Sequence, residues 1–373
     1  MDEAFPYRPG AFGLRAARRA VVVAMLLAPI VLLVRPASAR LVGQRVVGGV
    51  QQAVAFTFSD SGRIWVAEKS RGNIQVFDIA AGTHHRFFHV PDVVGEDEQG
   101  LVGIALSPGF PKVPWVYAFA TRSIGGTLLD QIVRIRSVNG RARGMHVLFS
   151  ARASSLHEHS GGRILFGPDG MLYAFMGDAT SPENSQSLGS PRGKVLRMTP
   201  SGGIPPGNPF PHSRIFARGF RNSFGMGFDP RTRRLWETEN GPQCNDELNR
   251  VRRGGNFGWG PSASCAGGSP RNTNRDGPNP VLPARWYTPT IAPTGLAFCE
   301  GCRLGPRSEG ALFFGAYNTG ELRRVRLSAD RKRAVDVDVF GRPTGSMLSL
   351  EVGPNGRLYY STYTGVFRLG LKR

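Results

Sequence analysis

One local pattern recurs six times along the chain: an apolar strand, a turn built of Pro, Asp, Asn and Gly, and a second strand rich in Tyr, Trp or Leu. It runs through Phe58-Ser59-Asp60-Ser61-Gly62-Arg63-Ile64-Trp65-Val66 and through Leu106-Ser107-Pro108 to Trp115-Val116-Tyr117. The clearest copy is Phe166-Gly167-Pro168-Asp169-Gly170-Met171-Leu172-Tyr173. Phe228-Asp229-Pro230 to Leu235-Trp236 and Val352-Gly353-Pro354-Asn355-Gly356-Arg357-Leu358-Tyr359 repeat it, with a degenerate copy from Arg303-Leu304-Gly305-Pro306 to Ala311-Leu312-Phe313. The turn residues reverse the backbone, and alternation gives each strand one face to bury. Copies start roughly 46–80 residues apart, the length of a four-stranded propeller blade with variable loops. Each sheet of such an array buries its faces only against its neighbours, so no stretch is self-sufficient. The expected fold is all-β: a six-bladed β-propeller of four-stranded antiparallel blades, one domain over residues 40–373. A pair of β-sandwiches would carry no such repeat. The 49 Gly and 28 Pro in 373 residues agree with many short elements and few long helices.

Residues 1–39 read as a processing signal. Arg8, Arg15, Arg18 and Arg19 form a basic start, Val21 to Val34 an apolar run, and Ala37-Ser38-Ala39 a small-residue cleavage pattern. The run is short for a bilayer span, which needs about 20 residues, although an uncleaved membrane anchor is the alternative. Either reading puts the domain outside the cytoplasm, in the periplasm or beyond. The net charge of +20 comes almost wholly from arginine, because Lys69, Lys112, Lys194, Lys332 and Lys372 are the only lysines. These charges are scattered singly, which argues against nucleic acid and for a solvated surface that can adhere to an anionic cell envelope. In an exported chain the four cysteines suit disulfides, Cys244 with Cys265 closing a loop and Cys299 with Cys302 closing a tight local one. The lesser alternative, zinc at Cys299-Glu300-Gly301-Cys302, has no second CxxC to complete it.

Four segments carry groups capable of chemistry. His157-Glu158-His159-Ser160-Gly161-Gly162-Arg163 directly precedes the clearest repeat. A histidine at a propeller mouth can act as a general base, and it can equally be a structural residue bonded to backbone. In Phe220-Arg221-Asn222-Ser223-Phe224-Gly225, an Arg beside an Asn can hold an anionic or quinonoid ligand; a surface loop is the bland reading. The oxygen donors of Glu237 to Asn249, around Gly241-Pro242, suit calcium without the spacing of an EF-hand, or form a solvated acidic loop. Gly95-Glu96-Asp97-Glu98 faces the same mouth or is an ordinary exposed loop.

In this order and spacing the segments resemble the glucose/sorbosone dehydrogenase family, the soluble PQQ-dependent sugar dehydrogenases and aldose sugar dehydrogenases. The resemblance rests on Glu98-Gln99-Gly100-Leu101-Val102-Gly103, His159-Ser160-Gly161-Gly162-Arg163, Gly193-Lys194-Val195-Leu196-Arg197 and Arg221-Asn222. It continues through Gly241-Pro242, Asp246-Glu247-Leu248-Asn249 and Gly254-Gly255-Asn256-Phe257-Gly258-Trp259, covering about residues 45 to 370. It implies a propeller that binds pyrroloquinoline quinone (PQQ) and calcium at its top face, oxidises a sugar and passes electrons to an external acceptor. His159 would take the proton of the sugar hydroxyl. Arg221 and Asn222 would contact the quinone, with Glu98 and Glu158 beside them, Glu98 near the substrate. The carbonyls of Gly241 and Pro242 would bind calcium, and Glu247 a structural calcium. The cofactor carries the redox chemistry and the protein supplies base, electrophile and orientation.

Three positions depart from the family. Asn318 stands where relatives carry a Lys, and Ser346 and Leu348 stand where they carry two Arg. These cations would neutralise the carboxylates of PQQ, and their loss should weaken its binding by several kcal/mol, at roughly 1.5–3 per charged hydrogen bond. Arg323 or Arg342 reaching the top cleft would replace them. The rival function is a non-catalytic or non-quinone propeller that binds carbohydrate or another envelope component. A propeller hydrolase of the lactonase type would need a metal held from several blades, and no Glu/Asp/Asn set for it stands out.

Overall fold

The computed structural model describes residues 40–372; the expected signal, residues 1–39, lies outside them. Twenty-four strands form six four-stranded antiparallel sheets. Blade I is β2 (Ala53–Phe58), β3 (Ile64–Glu68), β4 (Asn73–Asp78) and β5 (Thr83–His89). Blade II is β6 (Leu101–Leu106), β7 (Trp115–Ile124), β8 (Thr127–Val138) and β9 (Arg141–Arg152). Blade III is β10 (Gly161–Phe166), β11 (Leu172–Met176), β12 (Lys194–Met198) and β13 (Ile215–Arg218). Blade IV is β14 (Ser223–Phe228), β15 (Leu235–Glu239), β16 (Asp246–Arg250) and β17 (Arg285–Tyr287). Blade V is β18 (Pro293–Phe298), β19 (Leu312–Ala316), β20 (Glu321–Leu327) and β21 (Ala334–Gly341). Blade VI takes β22 (Ser349–Val352), β23 (Leu358–Thr362) and β24 (Gly365–Lys372) from the end of the chain and β1 (Arg40–Val47) from its beginning.

All six sequence repeats coincide with the hairpins joining the first and second strands of the blades, including the degenerate copy between β18 and β19. The first strands touch one another in a closed ring, β2 to β6 to β10 to β14 to β18 to β22 and back. The hydrophobic core is divided into six clusters, one at each blade interface. Alternation explains the division: on β15 and β16, Trp236 and Leu248 pack toward blade V, while Met226 of the same sheet packs toward blade III. Both cysteine pairs form as expected, Cys244–Cys265 and Cys299–Cys302. No helix among the described residues is long and apolar enough to cross a membrane.

Candidate active site

In antiparallel blades, the loops from one blade to the next share a side with the loops joining second and third strands. This top side carries every sequence-predicted site residue. On the propeller axis it holds a cavity of about 210 Å³ to which all six blades contribute, through residues such as Val54, Val102, Arg163, Phe224, Tyr317 and Leu348. Arg163 forms part of the wall and spends its donors on protein: Nε on the Phe224 carbonyl (3.0 Å), Nη1 on Ser349 Oγ (3.1 Å) and Nη2 on the Leu348 carbonyl (3.4 Å).

His159 lies two residues before β10, with only 8% of its surface exposed. The β10–β11 hairpin pairs Gly161 with Met176, so residue 178 faces residue 159 just beyond the ladder. There His159 Nδ1 meets Asp178 Oδ1 at 2.7 Å. Asp178 is 1% exposed and also accepts the Trp259 indole N–H on Oδ2 (2.8 Å) and the Thr180 N–H on Oδ1 (2.8 Å). A carboxylate at Nδ1 selects the tautomer with its proton there and leaves Nε2 as the basic nitrogen. The approach needs glycine: a Cβ on Gly177 would lie 2.0 Å from the His159 carbonyl oxygen.

Glu98 joins two blades to this base. Its Oε2 accepts the His159 N–H (2.7 Å) and the Asn222 side-chain amide (2.8 Å), and its carboxylate lines the cavity. The Arg221 carbonyl accepts the Asp178 N–H at 2.8 Å, which fixes the Arg221-Asn222 corner against the dyad. Arg221 Nη1 donates to the carbonyls of Asn240 (3.0 Å) and Gly241 (3.1 Å), and its guanidinium lies 5.7 Å from the Trp259 ring. Pro242 and Glu247 share a small cleft with Arg221 and Trp259. His159, Arg221, Asn222, Glu98, Gly241, Pro242 and Glu247 thus form one connected set, drawn from three inter-blade loops and blade IV.

Behind this set, Glu237, Glu239 and Glu247 are buried on one face of β15 and β16, with Glu239 opposite Glu247 and Glu237 opposite Asn249. Burial pushes all three carboxyls upward, and neighbouring carboxylates add to it: Glu247 on Glu237, Glu237 and Glu247 on Glu239, and Asp246 on Glu247. Glu247 Oε2 accepts from Asn249 (2.9 Å) and Asn274 (3.1 Å), whereas both oxygens of Glu237 lack a partner. Such a concentration of oxygen acceptors suits a hard cation near Glu247. Among the described residues, no three His, Cys, Asp or Glu side chains converge on one point, so carbonyl and amide oxygens would have to complete any metal site.

Other residues lie apart. Glu158 is exposed, outside the wall of the cavity. Asn318 is exposed, Ser346 is half-buried, and Leu348 puts an apolar side chain on the cavity. Neither arginine expected to replace the missing cations reaches it. Arg323 holds Glu321 through Nε (3.0 Å) and Nη2 (2.6 Å), Arg342 holds the same carboxylate, and neither lines the cavity. Sequence reasoning missed Asp178 and the role of Trp259. For Asp178 the signal was incomplete: the register next to the Pro168-Asp169-Gly170 turn pairs position 178 with 160, and only the register shift between Gly161 and Ile164 brings it opposite 159. For Trp259 there was none, since its loop packs on Asp178 from another blade.

The fold and site thus define a six-bladed propeller with a His–Asp pair, an Arg-Asn corner and clustered oxygen donors at its axial mouth. Residues 50–367 match the family described as Glucose / Sorbosone dehydrogenase, and the chain belongs to that family. It is 26% identical over 311 residues to aldose sugar dehydrogenase YliI of Escherichia coli, covering 78% of this chain and 81% of that one. It is 30% identical over 236 residues to quinoprotein glucose dehydrogenase B of Acinetobacter calcoaceticus, covering 55% of this chain and 49% of that one. The PQQ-bound structure of aldose sugar dehydrogenase from Streptomyces coelicolor superposes with a TM-score of 0.76 at 28% identity, covering 90% and 99% of the two chains.

Proposed function

We propose that the chain oxidises a sugar hydroxyl at the top of the propeller, using a quinone cofactor of the PQQ type with calcium and passing electrons to an external acceptor. The observation that carries this reading is the buried His159–Asp178 pair held against Glu98, Asn222 and Arg221. The residues present fit the quinone end of such a group: Arg221 would donate to it, and Asn222 Oδ1, buried without a partner, is an acceptor free for an N–H or O–H of the bound group. Gly241 and Pro242 would offer carbonyls to the calcium, and a carbonyl has a second lone pair beside the one Arg221 takes. Bound there, the quinone would supply the hydride acceptor and the calcium its polarisation. His159 Nε2 would take the hydroxyl proton as hydride leaves the same carbon, while Asp178 stabilises the imidazolium and fixes the ring. Glu98 would present its second oxygen to a sugar hydroxyl. Export, and adhesion to an anionic envelope, belong to the same proposal and are supported by the net charge of +20 and the basic-then-apolar start of the chain.

One observation favours a second reading, an exported propeller that binds carbohydrate without oxidising it: the cavity wall carries Leu348 where the family carries a cation. Titration of the purified protein with PQQ and calcium separates the two, followed by quinone absorbance and sugar-dependent dye reduction. Saturable binding with turnover on an aldose supports oxidation. Carbohydrate binding with no turnover under any loading supports the binding protein.

A further inference from the structure

The charge distribution around the axial cavity differs from what a tricarboxylate needs. Of the cavity-lining residues, Asp97 and Glu98 are acidic and Arg163 is the only cation among those described; Arg221, at the quinone end, lines the neighbouring cleft and gives Nη1 to two carbonyls. Arg163 is engaged by two carbonyls and a serine hydroxyl, so a carboxylate would have to compete for its donors. Beside blade V, Glu321 gathers both spare guanidiniums: Arg323 is also stacked 5.0 Å over the Tyr287 ring, and Arg342 closes on the other oxygen. The wall they would have served is apolar and aromatic instead. Leu348 lies there with Phe224, and Tyr317 and Tyr363 meet edge to face at 6.4 Å. Removing a carboxylate from water costs several kcal/mol unless a charged partner replaces the solvent. A planar ring without that charge gains from the apolar wall and incurs no such cost.

We propose that this cavity selects a planar quinone whose carboxylates are absent or masked, in preference to the free tricarboxylate. The inference deepens the oxidation reading and rests on it for the location of the ligand. The geometry assigns the selection to two positions, Leu348 in the wall and Asn318 beside Tyr317, with Arg323 and Arg342 both paired to Glu321 and absent from the lining.

The test compares PQQ with its trimethyl ester on the full-length protein in calcium, reading binding by quenching of tryptophan fluorescence and turnover separately by dye reduction. The expected result is that the ester binds about tenfold or more tightly than the acid, the loss of one charged hydrogen bond being worth about that factor. The double variant Leu348→Arg, Asn318→Lys should reverse the order, tightening the acid and weakening the ester as the apolar wall is lost. Both substitutions are at positions that are not fully buried, and circular dichroism checks the fold. Tighter binding of the acid to the wild type overturns the inference while leaving sugar oxidation by PQQ intact. Failure of both ligands to bind at about 100 μM overturns the inference and the quinone reading together.

Discussion

His159 has φ +55°, and just across the hairpin Ala179 and Thr180 have φ +57° and +64°. Side chains with a Cβ rarely adopt this left-handed region, and a β-branched Thr does so at a cost of about 1–3 kcal/mol. The strain is concentrated around Asp178, whose carboxylate takes the Thr180 N–H, the Trp259 N–H and the imidazole. Such over-determination marks a group whose orientation matters. His159→Ala should abolish sugar-dependent dye reduction while quinone binding persists. Asp178→Asn should lower kcat by about 10²–10⁴ with little change in KM, because the ring would lose its tautomer and not its place. Lower on the axis, Glu351 faces Arg163, and burial pushes its carboxyl from 4.5 up to about 7 despite that cation. An acid whose folded value is raised is disfavoured when ionised, so its effect on stability is absent below about 4.5 and grows as pH rises through 7. Thermal midpoints of wild type and Glu351→Gln should therefore diverge between pH 4.5 and 8, the variant becoming the more stable at the upper end.

At the scale of elements, the repeat hairpins were legible because turn chemistry and alternation are local properties of the chain. The β15–β16 loop shows where local reading stops. Its sequence announces oxygen donors, but which of them turn inward depends on the strand register that sets Glu239 against Glu247 and Glu237 against Asn249. That loop is tied by Cys244–Cys265 to the long excursion between β16 and β17, over a separation of 21 residues. Closing a loop of that length restricts the unfolded chain by about 3 kcal/mol. Cys244→Ser with Cys265→Ser should lower the thermal midpoint accordingly. It should also weaken the calcium binding proposed at Gly241 and Pro242, read by calcium titration of the folded variant, since the bond is anchored two residues after Pro242.

Over the whole molecule, the ring is closed by β1, which pairs with β24 from Arg40 opposite Lys372 to Val47 opposite Val366. Leu41 and Val47 from that strand belong to the clusters at the two interfaces of blade VI. A propeller lacking this strand exposes a sheet edge and part of two interfaces at once. Deletion of residues 40–47 should therefore broaden the unfolding transition and lower its midpoint well beyond the effect of losing eight residues elsewhere. A scan retaining a single sharp transition would show that blade VI needs no closing strand.

The sequence by itself determined the architecture, because six copies of one hairpin that cannot bury its own faces have few ways to satisfy one another. It also determined the family and most members of the site, whose residue types recur in a fixed order. Tertiary structure decided how those members act. The register across one hairpin supplied Asp178 to His159, a loop from another blade supplied Trp259, and packing beside blade V drew Arg323 and Arg342 onto Glu321. Such choices depend on distances between residues far apart in the chain, and no local pattern of charge or hydropathy encodes a distance.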